Sequence, residues 1–340
     1  PMGVSAQIVP WNFPVSICAR SLAPALAAGN AVVIKSPELS PLGMCVLVRA
    51  IVKAGLPQGA INLICGRGRE VGAHLVSSAK VDQIVFTGSV PTGQSILRDA
   101  AANAIPSVME LGGKSAAIAF ADVDRKQLLA SVKNGIFFNA GQVCSAMSRL
   151  LVQREIYEDI VQAVVELAEG LSVGLGQDNP DLTPVVSAAQ LAGIETLCRR
   201  AVDEGAVLAT GGEAHSELAG HFMRPTVFRD VRADMCIAQE EVFGPVLAII
   251  PFDSEEQAIE IANGTDFGLV AGVFTQDISR AMRCVRRLRA GQVFVNEWYA
   301  GGIETPFGGV GLSGFGREKG QEALYSYVRT KNVAIRVAGE

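Results

Sequence analysis

The sequence predicts an α/β fold organised around mainly parallel sheets, on three observations. Short apolar runs alternate with stretches of helical length through most of the 340 residues. The connections between them are short, as βαβ units require. Hydrophobic residues make up 49% of the chain and aromatic residues only 6%, an aliphatic core suited to parallel sheets covered by helices. A chain of this length builds two domains or one large unit.

Taken in order, Val4 to Pro10 reads as a strand and Val15 to Ala28 as a helix ended by Gly29-Asn30. Ala31 to Ile34 is a buried strand, Pro41 to Ala54 a helix stopped at Gly55, and Ala60 to Cys65 a strand. Arg69 to Ser77 and Thr92 to Ala102 read as helices, Val81 to Phe86 and Ser107 to Leu111 as strands. Ser115 to Phe120 is a strand, and Arg125 to Asn139 a helix leading to Cys144. The strand Arg149 to Gln153 precedes two helices, about Tyr157 to Gly170 and Val185 to Glu204. Phe222 to Arg229 and Val246 to Phe252 read as strands, with Glu255 to Asn263 a helix. Val270 to Phe274, the basic helix Ile278 to Arg289 and Gln292 to Asn296 form another βαβ unit. A glycine-rich loop from Gly301 to Gly316, a helix near Glu318 to Tyr327 and a strand-like tail, Lys331 to Val337, complete the chain. Such a terminal strand, with no obvious partner in its own chain, is expected to pair elsewhere.

Net charge is −5 with no long run of one sign, which argues against a nucleic-acid footprint or a polybasic membrane anchor. No apolar run is long enough to span a bilayer, and no signal sequence is evident. The seven cysteines (18, 45, 65, 144, 198, 236, 284) include no Cys-x-x-Cys, and the three histidines form no His-Glu-x-x-His. A disulfide framework and a metal site are therefore not expected, and the cytoplasm is the default compartment. The chain opens at Pro1 without an initiator Met and is soon in a strand, as a fragment or processed product would be.

Several short motifs could carry chemistry. Phe137-Phe138-Asn139-Ala140-Gly141-Gln142-Val143-Cys144-Ser145 places a thiol between two packed elements; alone it favours a buried, inert cysteine, the usual fate of a free thiol. Phe86-Thr87-Gly88-Ser89 joins a strand to a helix, where backbone amides can approach a pyrophosphate. It is neither Gly-x-Gly-x-x-Gly nor a P-loop, and an ordinary glycine turn would explain it. Met109-Glu110-Leu111-Gly112-Gly113-Lys114 closes an apolar strand with a carboxylate that desolvation would raise toward a general base, or that pairs with Lys114. Pro10-Trp11-Asn12-Phe13-Pro14 fixes an amide that could donate to an oxyanion or cap the next helix. Lys35-Ser36-Pro37-Glu38 could grip ribose hydroxyls or form a solvated ion pair, and Glu240-Glu241-Val242-Phe243-Gly244-Pro245 sets an acid and an aromatic before a turn.

Together with Pro-Phe-Gly-Gly and Ser-Gly-x-Gly-Arg-Glu near the end, these motifs occur in one order over essentially the whole chain, and the sequence resembles the NAD(P)-dependent aldehyde dehydrogenase superfamily. The resemblance implies two Rossmann-like βαβ domains with a C-terminal oligomerisation strand. Residues 1–112 would form the NAD-binding domain, 113–313 the catalytic domain with its cysteine nucleophile, and 314–340 the return helix and oligomerisation strand. It implies that Cys144 is the nucleophile, that Asn12 and the Cys144 backbone N–H form the oxyanion hole, and that Glu110 activates the water that hydrolyses a thioester. Trp11, Lys35, Ser36, Glu38, Gly88, Ser89, Leu111, Glu241 and Phe243 would bind the cofactor. Lys35 and Glu38 would lie at the adenosine ribose, Ser89 at the pyrophosphate, and Glu241 with Phe243 at the nicotinamide ribose. Glu38 favours NAD, because a carboxylate there repels a 2′-phosphate, while NADP stays open. Glu110 favours water over coenzyme A as acyl acceptor.

The same resemblance implies a small-molecule aldehyde substrate, no membrane or nucleic-acid partner, and a homodimer or homotetramer when the N-terminal segment of typical members is present. The sequence begins where the second segment of such members begins. Met147 stands where a small residue is common, and Gly311 where a lysine is frequent. Trp298 and Tyr299 precede the late loop and could favour aromatic, aliphatic or cationic aldehydes, or simply pack. Two rivals remain: a non-catalytic truncated relative, and a cysteine-dependent ester hydrolase, which would leave Lys35, Glu38 and Glu241 without purpose.

Overall fold

The computed structural model describes residues 1–337. The first third lays down β1 (Val4–Ile8), α1 (Pro14–Ala27), β2 (Ala31–Lys35), α2 (Leu42–Lys53), β3 (Ile61–Ile64), α3 (Ala73–Val76), β4 (Gln83–Thr87), α4 (Val90–Ala101) and β5 (Ser107–Glu110). The middle gives β6 (Ala116–Ala119), α5 (Arg125–Val132), β7 (Arg149–Gln153), α6 (Tyr157–Glu169), α7 (Ala188–Asp203), β8 (Val207–Thr210), β9 (Thr226–Arg229), α8 (Cys236–Gln239) and β10 (Val246–Phe252). Then come α9 (Glu255–Asn263), β11 (Phe267–Gly268), β12 (Val270–Phe274), α10 (Ile278–Arg287), β13 (Gln292–Val295), β14 (Val310–Gly311), β15 (Gly314–Phe315) and α11 (Glu322–Tyr325).

The strands form a six-stranded sheet in the order β15-β5-β4-β1-β2-β3 and a seven-stranded sheet in the order β13-β12-β6-β7-β10-β9-β8. In the first, every pair is parallel except β15 with β5. Strand order reverses between β1 and β4, so a crevice opens at their carboxyl ends, the usual ligand position in doubly wound sheets. Pro10-Trp11-Asn12 leaves β1 and Gly88-Ser89 leaves β4 at that crevice. The second sheet is parallel except for its edge strand β8.

Both sheets carry aliphatic clusters on both faces. Cys18, Leu22, Val32, Ile34 and Met44 fill one side of the first sheet, and Ile84, Phe86, Ile96 and Met109 the other. Two larger clusters cover the second sheet. The buried polar pair Gln7 and Ser21 satisfies itself: Ser21 Oγ donates to Gln7 Oε1 at 3.0 Å, and Gln7 Nε2 donates to Ser21 O at 3.0 Å.

The structure departs from the sequence expectation in several places. Lys331–Val337 forms no strand and is exposed. A strand exists only as one side of a ladder, and among the described residues nothing pairs with this segment. The expected helix at Glu318 to Tyr327 is a single turn, Glu322–Tyr325, because Glu318 instead exchanges backbone hydrogen bonds with Phe307. Strand β8 was not expected; its outer residues Val207 and Leu208 are exposed, so it has no apolar period to read. The glycine-rich loop also contains strand: β14 pairs with β11 and β15 with β5. Gly311 has φ +61, and a Cβ there would lie 2.5 Å from Asp266 O, so this position has a backbone reason for glycine.

Candidate active site

The segment that delivers Cys144 is a distorted helix end. Asp124 caps α5 by accepting from Gln127 N–H at 3.1 Å. The helix widens into a π turn over Lys133–Phe137, then tightens over Phe138–Gly141. Asn139, Ala140 and Gly141 have φ of 52°, 53° and 70°. Left-handed backbone costs an L-residue about 1–2 kcal/mol, and surrounding bonds hold it here. Gln142 Nε2 donates to Asn139 O at 3.1 Å, while Gln142 Oε1 accepts from Val186 N–H at 2.8 Å. Gly141 lies against the turn after Glu241: a Cβ on it would lie 2.0 Å from Gly244 O.

Asn12 is tied to the same segment, its Nδ2 donating to Gln142 O at 3.0 Å. An amide nitrogen carries two hydrogens, so one remains to donate. The Cys144 backbone N–H makes no hydrogen bond among the described residues. Both donors border a cavity of about 210 Å³ whose lining includes Cys144, Asn12, Trp11, Gly88, Ser89, Leu111, Glu241 and Phe243. Burial first, then the nearby Glu241 and Glu110 carboxylates, pushes the Cys144 thiol up to about 12. The thiol is therefore neutral until a base takes its proton.

Glu241 is held by geometry: its Oε1 accepts from Gly113 N–H at 2.9 Å. A Cβ on Gly112 would sit 2.3 Å from Glu241 Oε2, so the glycine leaves the carboxylate its room. Burial pushes Glu241 up to about 7 against the opposing pull of the Gly113 N–H and Lys114. Its folded pKa lies above the usual 4.5, so this group's stabilisation is complete below about pH 4.5 and is lost as pH rises through about 7. Thermal midpoints followed across that range should fall with rising pH in the wild type, and less steeply in Glu241→Gln. Equal slopes would contradict the assignment. Phe243 adopts φ 53°, meets Trp11 edge-on at 5.4 Å, and has its carbonyl held by Gln190 Nε2 at 3.0 Å.

A wider groove of about 640 Å³ shares Trp11, Gly88 and Ser89 with the Cys144 cavity and runs to Lys35 and Glu38. Lys35 Nζ lies 3.6 Å from Glu38, whose Oε1 also accepts from Gly68 N–H. That backbone donor, ahead of Lys35, holds the Glu38 carboxyl below its usual range. Ser89 precedes α4 without capping it; its Oγ pairs with Thr92 Oγ1 at 2.9 Å. The first-turn N–H groups thus face the groove without a side-chain partner, a fit for an anion. Ser36 does not line the groove: it is buried, and its Oγ donates to Pro37 O at 3.4 Å.

Glu110 is placed apart from the cavity wall. Its strand end is clamped on both sides, its carbonyl accepting from Gly88 N–H and its backbone paired with Gly314. The carboxylate is buried, has no hydrogen-bond partner, and has Oε1 2.8 Å from where a Gly308 Cβ would stand. Burial, with Glu318 adding, raises it well above the usual range, against Arg317 and Arg20. The alternative pairing with Lys114 is not formed, since neither the Glu110 carboxylate nor Lys114 Nζ has a hydrogen-bond partner among the described residues; burial and then Arg149 lower that lysine to about 7.

This geometry agrees with a whole-chain match. A model of the aldehyde dehydrogenase family covers residues 1–333. The chain belongs to the aldehyde dehydrogenase family. Members of this family are aldehyde-oxidising oxidoreductases. The chain is 44% identical over 336 residues to betaine aldehyde dehydrogenase of Cereibacter sphaeroides, covering 98% of this chain and 69% of that one. It is 42% identical over 339 residues to retinal dehydrogenase 2 of Gallus gallus, covering 99% of this chain and 65% of that one. Betaine aldehyde dehydrogenase from Staphylococcus aureus, solved in complex with NAD+, superposes with a TM-score of 0.94 at 39% identity, covering 96% of this chain and 66% of that one.

Gln142 was read only as part of the stretch leading to Cys144, with no role of its own, and Gln190 went unread: it acts through the Phe243 carbonyl, far along the chain, and belongs to no charged or glycine-rich motif. Trp298 is a packing residue: it is buried in the core beneath the second sheet, its Nε1 donating to Ser145 O at 3.1 Å. Tyr299 lines a separate cavity beyond Cys144, with its hydroxyl donating to Gly135 O at 3.3 Å. Met147 is fully buried in the same core as Trp298. Among the described residues no group of histidine, cysteine and carboxylate side chains could hold a metal, and no helix is long and apolar enough to cross a membrane.

Proposed function

We propose that this aldehyde dehydrogenase uses NAD to oxidise an aldehyde to its carboxylic acid through a covalent intermediate on Cys144. One observation carries the reading: Cys144, beside two uncommitted N–H donors, faces a cavity continuous with a groove ending at Lys35 and Glu38. We further assign residues 1–112 to the cofactor domain, 113–313 to the catalytic domain and 314–340 to a returning segment.

The groove fits a dinucleotide. Lys35 and Glu38 suit a ribose diol, the open α4 N-terminus suits a pyrophosphate, and Glu241 with Phe243 suits the second ribose beside Cys144. The ionised Glu38 carboxylate opposes a 2′-phosphate, which supports NAD over NADP. Bound NAD supplies the acceptor for the hydride that leaves the aldehyde carbon.

Cys144 Sγ adds to that carbon after losing its proton, giving a thiohemiacetal. The carbonyl oxygen gains charge as this bond forms. The free Asn12 Nδ2 hydrogen and the Cys144 N–H are the donors available to it, each worth roughly 3–4 kcal/mol in comparable sites. Oxidation leaves a thioester on Cys144. Its hydrolysis needs water and a base other than the occupied sulfur. Glu110 is that base: burial raises its carboxyl well above the usual range and so makes it a stronger proton acceptor, and its side chain must turn from beneath Gly308 toward the cavity to do so.

Glu110→Gln should therefore acylate and form NADH in a single burst, then slow by about 10²–10⁴-fold as the thioester persists. Rapid-mixing kinetics with intact-protein mass spectrometry reads both phases. Wild-type steady-state turnover in the variant would remove Glu110 from this role.

A further inference from the structure

Cys144 stands between two cavities. Cys144 and Asn12 face the groove already described, while their neighbours Val143, Ser145 and Phe13 face a second cavity of about 340 Å³. The two cavities thus meet the segment 143–145 on different walls, Cys144 on one and its two neighbours on the other. The walls are aromatic: Phe13 stacks on Phe138 with centroids 6.0 Å apart, and Tyr299 meets Phe138 at 6.5 Å.

The charged side chains lining this cavity, Arg20 and Lys319, are both cationic. Arg20 lies 5.1 Å over the Phe307 ring, which orients the guanidinium. Among the described residues neither cation donates a hydrogen bond, so Arg20 keeps its planar fork of donors open. The nearest carboxylate is Glu318, buried with Oε2 4.0 Å from Arg20. Burial pushes Glu318 up to about 7, so at neutral pH it is only partly ionised. Even fully ionised, it balances one of the two positive charges. Glu304 lies outside the lining, where its Oε1 accepts from Gly302 N–H at 3.0 Å. Burial and then Arg20 itself hold Lys319 below its usual range, against a smaller opposing pull from Glu304 and Glu318.

We propose that this cavity selects aldehydes bearing a carboxylate at the far end of a short chain, received by Arg20 and Lys319. The proposal rests on the aldehyde-oxidising reading above and narrows its substrate class. A quaternary ammonium aldehyde would bring a third cation to the same place.

The test compares kcat/KM of the full chain with NAD for 4-oxobutanoate, for butanal, and for betaine aldehyde. The expected result is a preference for 4-oxobutanoate over butanal of at least about tenfold, with betaine aldehyde poorer still. In Arg20→Gln that ratio should fall by about tenfold, Arg20→Lys should retain most of it, and added salt should lower it. Butanal oxidised as well as 4-oxobutanoate, or a ratio unchanged in both Arg20→Gln and Lys319→Gln, would overturn the proposal and leave the oxidation reading standing. If no aldehyde is oxidised, the oxidation reading fails instead. Calorimetric binding of succinate then decides the carboxylate site alone: binding lost in Arg20→Gln supports it, and no binding to the wild type overturns it.

Discussion

Cys144→Ala is expected to lower aldehyde oxidation by on the order of 10⁴-fold or more, the scale on which loss of a covalent nucleophile is felt. No other thiol can substitute. Cys18, Cys198, Cys236 and Cys284 are buried in packed cores, and Cys45 and Cys65 do not line the cavity that holds Asn12 and Glu241. The substitution deletes one sulfur from a partly open wall, so folding and cofactor binding should persist. Steady-state NADH formation, with NAD affinity followed by protein fluorescence, separates the two effects. A variant that binds NAD and keeps even a tenth of wild-type turnover would place the chemistry elsewhere.

Gly141→Ala should be nearly as damaging, by a route through the backbone. The added Cβ would fall 2.0 Å from Gly244 O and 2.3 Å from the Gly244 carbonyl carbon, neither of which is a flexible side-chain end. At φ 70° alanine is also strained without any clash. Overpacking and left-handed strain together cost roughly 2–6 kcal/mol. The two segments forced apart carry Cys144 and the Glu241–Phe243 turn, so activity should fall even where the chain stays folded. Chemical denaturation and kcat on the same preparation test this. Wild-type stability with wild-type activity would show that the contact is not needed.

The reading of the chain from sequence succeeded where local pattern and tertiary structure agree. The apolar runs at Val4–Ile8, Ala31–Lys35 and Val246–Phe252 became central strands because they are buried on both faces. Around the site, Asn12, Gly88, Ser89, Glu241 and Cys144 were legible because each sits in a motif at a strand or helix end, and the folded chain brings them to one cavity. Glu110 was legible as a buried carboxylate but not in its position, since turning beneath Gly308 depends on a loop about two hundred residues away. The helix expected from Arg125 to Asn139 was right in place and wrong in form, because its end passes through left-handed residues held by long-range contacts such as those of Gln142 and of Gly141 with Gly244. Arg20 was hidden as one basic residue on an apolar helix; its meaning comes from Lys319 and Phe307, which approach it from the other end of the chain.

The most direct test of a Cys144-centred, NAD-dependent oxidation is the spectrophotometric yield of NADH from the purified chain, with NAD and an aldehyde panel, against the acid produced. The account predicts one NADH for each carboxylic acid formed. Acid without NADH, or a folded chain that binds NAD and oxidises none of the panel, would contradict it.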